Sequence, residues 1–211
     1  MKKCCLALLF FFLSIILCSC QEVYDKKQDV KEKILTMENF SADAKISLFS
    51  NQSTNTYKVN IIWEKTGRYI IKTFEPNILN GNIILFDGKG IWQYNPNVKS
   101  KISFVGVGGE FDGKSKVFVP EFLKKYLNGS EISEKEVLAN GVKYLVLTTK
   151  TNNEKNFDMQ KLWIDTQKQA PFKLETFDKK GKLIFLVEFL NFNFNIKTLE
   201  KDFDVCNGFS Q

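Results

Sequence analysis

Apolar and polar residues alternate along much of this chain, and the breaks in that alternation mark helices and turns. Tyr57, Val59, Ile61 and Trp63 interleave with Lys58, Asn60, Ile62 and Glu64, the period of a strand with one buried face. Lys65-Thr66-Gly67-Arg68 predicts a turn, and Tyr69 to Phe74 the returning strand. Asn80-Gly81 and Asp87-Gly88 predict tight turns around Ile83 to Phe86. Upstream, Glu22 to Met37 is charged, with apolar residues only at positions such as Val30, Ile34 and Met37, which fits a short amphipathic helix after a brief tether. Val119, Phe122, Leu123, Tyr126 and Leu127 recur at spacings of three and four. Pro120 suits the first turn of a helix there and Asn128-Gly129 its end. Strands are then expected over Val142 to Thr149, Gln160 to Asp165, Phe172 to Phe177 and Leu183 to Asn195, separated by Asn-Gly, Gln-Ala-Pro and Lys-Gly turns. The pattern is that of an α+β chain: one antiparallel meander with a helix at its start and another in its middle.

Leu183 to Leu190 departs from alternation, being apolar on both faces. Either the second face meets a partner, a ligand or another copy of the chain, or a bulge shifts the register. If Leu183 to Phe189 is an accessible edge, its unpaired backbone groups favour strand exchange and a homodimer.

The N-terminal pattern is of another kind. Lys2 and Lys3 precede an uncharged apolar run from Leu6 to Leu17. That is shorter than the roughly 20 residues a bilayer-spanning helix needs, and it matches a secretory signal peptide. The run ends in Leu17-Cys18-Ser19-Cys20, which resembles the bacterial lipobox, with an aliphatic residue at −3, a small one at −1 and a cysteine at +1. Cys18 fits poorly as +1 because Leu17 would fill the small position. Cys20 is therefore the expected lipid attachment site, and residues 1–19 the signal peptide. Residues 20–38 are the lipidated N-terminus, tether and short helix, and residues 39–211 form one domain. About 190 residues suffice for a single core.

Removing the signal takes Lys2 and Lys3 with it, so Lys plus Arg falls from 30 to 28 against 24 Asp plus Glu, a mild net +4. The basic residues are dispersed, which argues against a nucleic-acid surface. Of five cysteines, Cys4, Cys5 and Cys18 leave with the signal and Cys20 is blocked by lipid. Cys206 is then the one thiol of the mature chain, so an internal disulfide framework is excluded. The chain has no histidine, which removes Ser-His-Asp and Cys-His nucleophile pairs and most zinc sites. Its carboxylates are scattered among lysines, and Gly106-Val107-Gly108-Gly109 lacks the setting of a phosphate loop. No cofactor, metal or catalytic residue is implied, and a non-enzymatic role is expected.

Two stretches resemble the lipoprotein-carrier superfamily typified by LolA and LolB. One runs from Glu75-Pro76-Asn77-Ile78-Leu79 into Phe86-Asp87-Gly88-Lys89-Gly90-Ile91-Trp92-Gln93-Tyr94-Asn95-Pro96. The other combines Leu162-Trp163-Ile164-Asp165, Pro171-Phe172-Lys173-Leu174-Glu175, Asp178-Lys179-Lys180-Gly181-Lys182 and Val187-Glu188-Phe189. The resemblance implies a LolA/LolB-like domain, a curved antiparallel sheet or incomplete β-barrel with helices covering its open side, often around a cavity for acyl chains. In soluble carriers an Arg-Pro pair at the turn before the first hairpin helps gate that cavity. Here the turn reads Lys65-Thr66-Gly67-Arg68, which departs from the pattern.

The layout of lipobox, short helix and curved sheet also resembles clostridial spore-germination lipoproteins of this fold. That likeness implies a membrane-anchored protein on the extracytoplasmic face of a spore or forespore membrane. Its expected partner is a spore-cortex N-acetylmuramoyl-L-alanine amidase, whose zinc would belong to the amidase. The alternative is a carrier or receptor for lipids or lipoproteins. The two differ in what Trp63, Trp92 and the inward phenylalanines do. In a carrier they line a cavity, and in a partner-binding protein they pack as core beneath an exposed apolar patch.

Overall fold

The structure, a computed structural model, describes residues 29–97, 100–105, 119–128, 132–150, 159–198 and 200–203. The chain divides into two units, residues 1–36 and 37–211. In the first, residues 29–35 form helix α1, as the spacing of Val30 and Ile34 predicts, and both side chains are buried. Thr36 closes the helix by donating its N–H and its Oγ1 hydroxyl to the Glu32 carbonyl, each at 2.8 Å.

The second unit is built on one antiparallel sheet of eleven strands. These are β1 (Asn39–Phe49), β2 (Thr54–Glu64), β3 (Tyr69–Glu75), β4 (Ile83–Phe86), β5 (Gly90–Asn95), β6 (Ser100–Val105), β7 (Ile132–Ala139), β8 (Val142–Lys150), β9 (Met159–Asp165), β10 (Ala170–Phe177) and β11 (Leu183–Phe194). Their spatial order is β6-β5-β4-β3-β2-β1-β11-β10-β9-β8-β7. The first and last strands therefore lie side by side in the middle, and β6 and β7 form two unjoined edges. The sheet stays open, and register shifts at Asp43/Ala44, Lys58/Val59, Pro171/Lys173 and Thr176/Phe177 add the local twist that curves it. Helix α2 (Val119–Asn128) packs on β8 and β9 through Val119, Pro120, Phe122, Leu123 and Tyr126. Leu127, expected on that apolar face, is 55% exposed.

The core face is continuous across the sheet. Phe40, Ala42, Ala44 and Ile46 of β1 alternate inward and meet Trp63, Ile61 and Val59 of β2 in register. On the other flank Leu147, Leu162, Leu174 and Val187 lie in one cross-strand row. β1 escapes a sequence reading because two of its inward residues are alanines, and β7 because its side chains are mostly exposed.

Two expectations are corrected, and one stated alternative is found. Leu183 to Phe189 is not the open edge expected, because from Phe185 to Glu188 β11 is flanked by β1 on one side and β10 on the other. Strand exchange through that segment has no open edge to use. Of the two explanations for its apolar faces a bulge is present, at Leu190, while Leu186, paired with Ser47 and Glu175 upstream of it, lies half-buried on the face opposite Val187. Ala44 faces Phe189 and Asp43 faces Asn191, so Leu190 is skipped and the inward set changes from Val187 and Phe189 to Phe192 and Phe194. Lastly, Ala170 and Pro171 belong to β10 itself, and the turn before them is Thr166–Gln169, with Gln169 at φ 51°.

Candidate functional site

The first motif is turn chemistry. Asp87 Oδ1 accepts the N–H groups of Lys89 and Gly90 at 2.8 Å, while Oδ2 accepts the Trp92 indole N–H at 3.0 Å. Burial pushes the Asp87 carboxyl up, but these hydrogen bonds outweigh it and hold the group below its ordinary value. Gly81 sits at φ +81°, and a Cβ there would lie 2.9 Å from Pro96 Cγ, so the close approach of the two turns requires glycine. Trp92 is thus tied to its own hairpin.

Trp63 is equally committed. Its ring stacks on Phe40 at 5.8 Å, Phe40 stacks on Phe192 at 4.7 Å, and Phe192 meets Phe189 and Phe194 at 5.5 and 4.8 Å. Phe40, Trp63 and Phe189 are all buried. Phe40 and Trp63 are core, while Phe192 and Phe194 are half-buried.

Behind β3 to β5 the opposite face is covered too. Ile83 and Leu85 are buried with Phe203, which lies on the short 3-10 helix Glu200–Phe203, and Ile62, Ile70, Trp92 and Tyr94 pack around them. Arg68 fastens this segment. Its guanidinium donates to Glu64 at 2.7 Å and to Glu200 at 2.6 Å, and it lies 4.6 Å over the Phe203 ring. Thr198 donates its hydroxyl to the other Glu64 oxygen at 2.7 Å. Hydrogen bonding to Glu200 raises the Arg68 pKa despite burial, and Arg68 in turn holds the Glu200 carboxyl below the usual range. Arg68 thus ties the turn between β2 and β3 to the 3-10 helix at Glu200–Phe203.

The second motif surrounds a cleft. Leu162, Ile164 and Leu174 point into the core. On the opposite face Trp163 donates its indole N–H to Glu175 at 2.7 Å, Lys173 pairs with Glu175 at 2.6 Å, and the Lys173 ammonium sits 4.2 Å over the Trp163 ring. Tyr144 bridges Trp163 and Phe172. The β10–β11 ladder stops at Lys173/Glu188, because Phe172 is bulged and Pro171 has no N–H to offer. Beyond that point the strands part around a cavity of about 420 Å³. Its lining includes Asp43, Lys168, Phe172, Phe189, Leu190 and Phe192. Phe172 and Leu190, both bulge residues, are 37% and 58% exposed at its mouth.

The family described as "Sporulation protein YdcC-like" matches residues 1–203. The chain belongs to the YdcC-like sporulation family. The sporulation protein YdcC of Bacillus subtilis (strain 168) is 24% identical over 208 residues, which cover 96% of this chain and 60% of that protein. This YdcC-like chain therefore spans less than two thirds of the curated relative it matches. A putative outer-membrane lipoprotein-sorting protein domain from Vibrio parahaemolyticus is 17% identical, covering 89% of this chain and 97% of that one, with a TM-score of 0.49. A chain in the complex of the CwlD amidase from Clostridioides difficile with the GerS lipoprotein is 27% identical, covering 85% of this chain and 95% of that one, with a TM-score of 0.47. The architecture expected of the YdcC-like chain, a curved open antiparallel sheet with helices, is present.

Cys20, the expected lipid site, and Cys206 lie outside the described residues, as do residues 1–19 and Gly106 to Gly109. The sequence reading passed over the cleft. Its signal was a phase change, from inward Val187 and Phe189 to inward Phe192 and Phe194, read together with a proline at the start of the neighbouring strand.

Proposed function

We propose that this chain is a non-enzymatic lipoprotein, anchored through diacylated Cys20 at the extracytoplasmic face of a spore or forespore membrane. There it binds and supports a spore-cortex N-acetylmuramoyl-L-alanine amidase. The observation that carries this reading is the use made of the aromatic residues. Trp63 and Phe40 are packed as core, while Phe172 and Leu190 stand exposed beside a cleft. Buried rings leave no room for acyl chains at those positions, and exposed apolar side chains beside a groove are what a protein partner covers. The absence of histidine from the whole sequence leaves the hydrolytic chemistry to the partner.

The test is a pull-down from sporulating cells with the Cys20-to-Gln211 chain as bait, analysed by mass spectrometry for proteins and lipids. Stoichiometric recovery of an amidase without acyl lipid is expected. Recovery of acyl lipid or lipoprotein without an amidase overturns the reading in favour of a carrier. Separately, Cys20→Ser should release the protein from membranes and abolish fatty-acid labelling; two acyl chains anchor firmly where one binds only marginally.

A further inference from the structure

The cleft between β10 and β11 exposes something a small molecule does not need, namely one side of a strand. Phe189 to Asn193 pair with β1 residues Ala44 to Ser41, but no described strand pairs with them on the β10 side. β11 is joined to β1 along this whole stretch, and the opening lies on its other side, toward β10. The opening has two local causes, the bulged Phe172 and Pro171, so it is written into the chain at two adjacent positions. A strand side without a ladder partner is completed best by another backbone, and pockets for alternate side chains then give such pairing its selectivity.

The cleft supplies those pockets. Its lining carries apolar Phe172, Phe189, Leu190 and Phe192 beside polar Asn191 and Asn193. It also carries charge. Asp43 accepts hydrogen bonds from the side-chain amides of Asn60 at 2.8 Å and Asn191 at 3.0 Å, both neutral donors, and no ion pair to it occurs among the described residues. Asp165 spends one carboxylate oxygen on the N–H groups of Gln167 and Lys168. Lys168 is the one cation in the lining against these two carboxylates, so the cleft favours a basic residue in its occupant.

We propose that this cleft binds an extended segment of a protein partner, which adds a short strand to β11 at Phe189–Asn193. Its apolar side chains lie against Phe172 and Leu190, and a lysine or arginine faces Asp43. The proposal deepens the partner-binding reading and rests on it.

The probes are fluorescein-labelled ten-residue peptides that alternate valine or leucine with lysine, and twins carrying N-methyl groups on alternate backbone nitrogens. Binding to the Cys20-to-Gln211 chain is followed by fluorescence anisotropy, and amide hydrogen exchange of Phe189 to Asn193 is followed with and without peptide. Saturable binding is expected, weakened at least tenfold by N-methylation and at least tenfold by the double change Phe172→Ser with Leu190→Ser. Both side chains are substantially exposed, so this variant should keep its fold, and its circular dichroism and urea midpoint verify that. Asp43→Asn should weaken lysine-rich peptides and leave glutamine-substituted ones unchanged. The proposal is overturned if no peptide in the set binds, if the methylated twins bind equally well, or if the amides of this stretch that point away from β1 are already protected in the unliganded chain. Peptide binding without recovery of an amidase in the pull-down would sink the amidase assignment alone. Recovery of an amidase undiminished by the double change would sink the cleft alone.

Discussion

Arg68, the single arginine of the chain, links two parts of the second unit that lie far apart in sequence. Its side chain is 20% exposed and that of Glu64 12%, which puts the pair between two regimes. Exposed ion pairs contribute about 0–1 kcal/mol and breaking a buried one costs about 3–5 kcal/mol. Arg68→Ala should therefore destabilise by about 2 kcal/mol in urea unfolding, because Glu64 keeps its burial and loses its cation. Glu200→Gln should cost clearly less, since Glu200 stands in solvent. Phe40→Ala should cost about 3–5 kcal/mol, since the ring is fully buried between Trp63 and Phe192. The acid limb of stability also belongs to this scale. Asp87 and Glu200 both have carboxyls held below their ordinary values in the folded state. Their contribution is therefore complete above the unfolded value of about 4 and is lost as pH falls through the lower folded values. Urea midpoints measured from pH 7 to pH 2 should drop below about pH 4, and Asp87→Asn should flatten that drop. A variant slope equal to wild type would rule out Asp87 as a source.

Among the elements, β11 is the most informative. Its inward residues are Phe185, Val187 and Phe189, then Phe192 and Phe194, and the change of phase falls at Leu190. Deleting Leu190 makes the inward set alternate without interruption, so the protein should still unfold cooperatively with native circular dichroism. Inserting an alanine after Leu190 places Phe192 four positions from Phe189, so the inward phase survives only with a second extra residue in the bulge or a two-residue slip against β1, and it should lower the urea midpoint more than the deletion does. Much of the fold was legible in this way. Strands β2, β3, β8 and β9, helix α2 and the Asn-Gly turn at Asn140-Gly141 follow from alternation, spacing and turn chemistry, which are local. What was not legible depends on neighbours. Strand β1 hides its alternation in alanines, whose burial is set by the rings of β2 and β11. Pro171 reads as a turn until its place beside β11 is known. The cleft follows from Pro171 and the bulged Phe172 of β10, and it becomes visible only when β10 is set beside β11.

For the whole molecule, the two readings carried from the sequence divide over what the aromatic residues do, and Trp63 and Phe40 are packed as core. The composition had already limited the chemistry, because a chain without histidine has few ways to build a nucleophile. Topology adds a consequence of its own. Strand β1 finds its partner β11 only after some 140 intervening residues, and Phe203, which covers Ile83 and Leu85, comes later still. The half of the sheet that leaves the ribosome first must therefore wait, with an apolar surface uncovered, for the segment that arrives last among these elements. Such long-range pairing folds slowly. In a chain of this topology the early strands reach their full set of native contacts only once the last strand has been made.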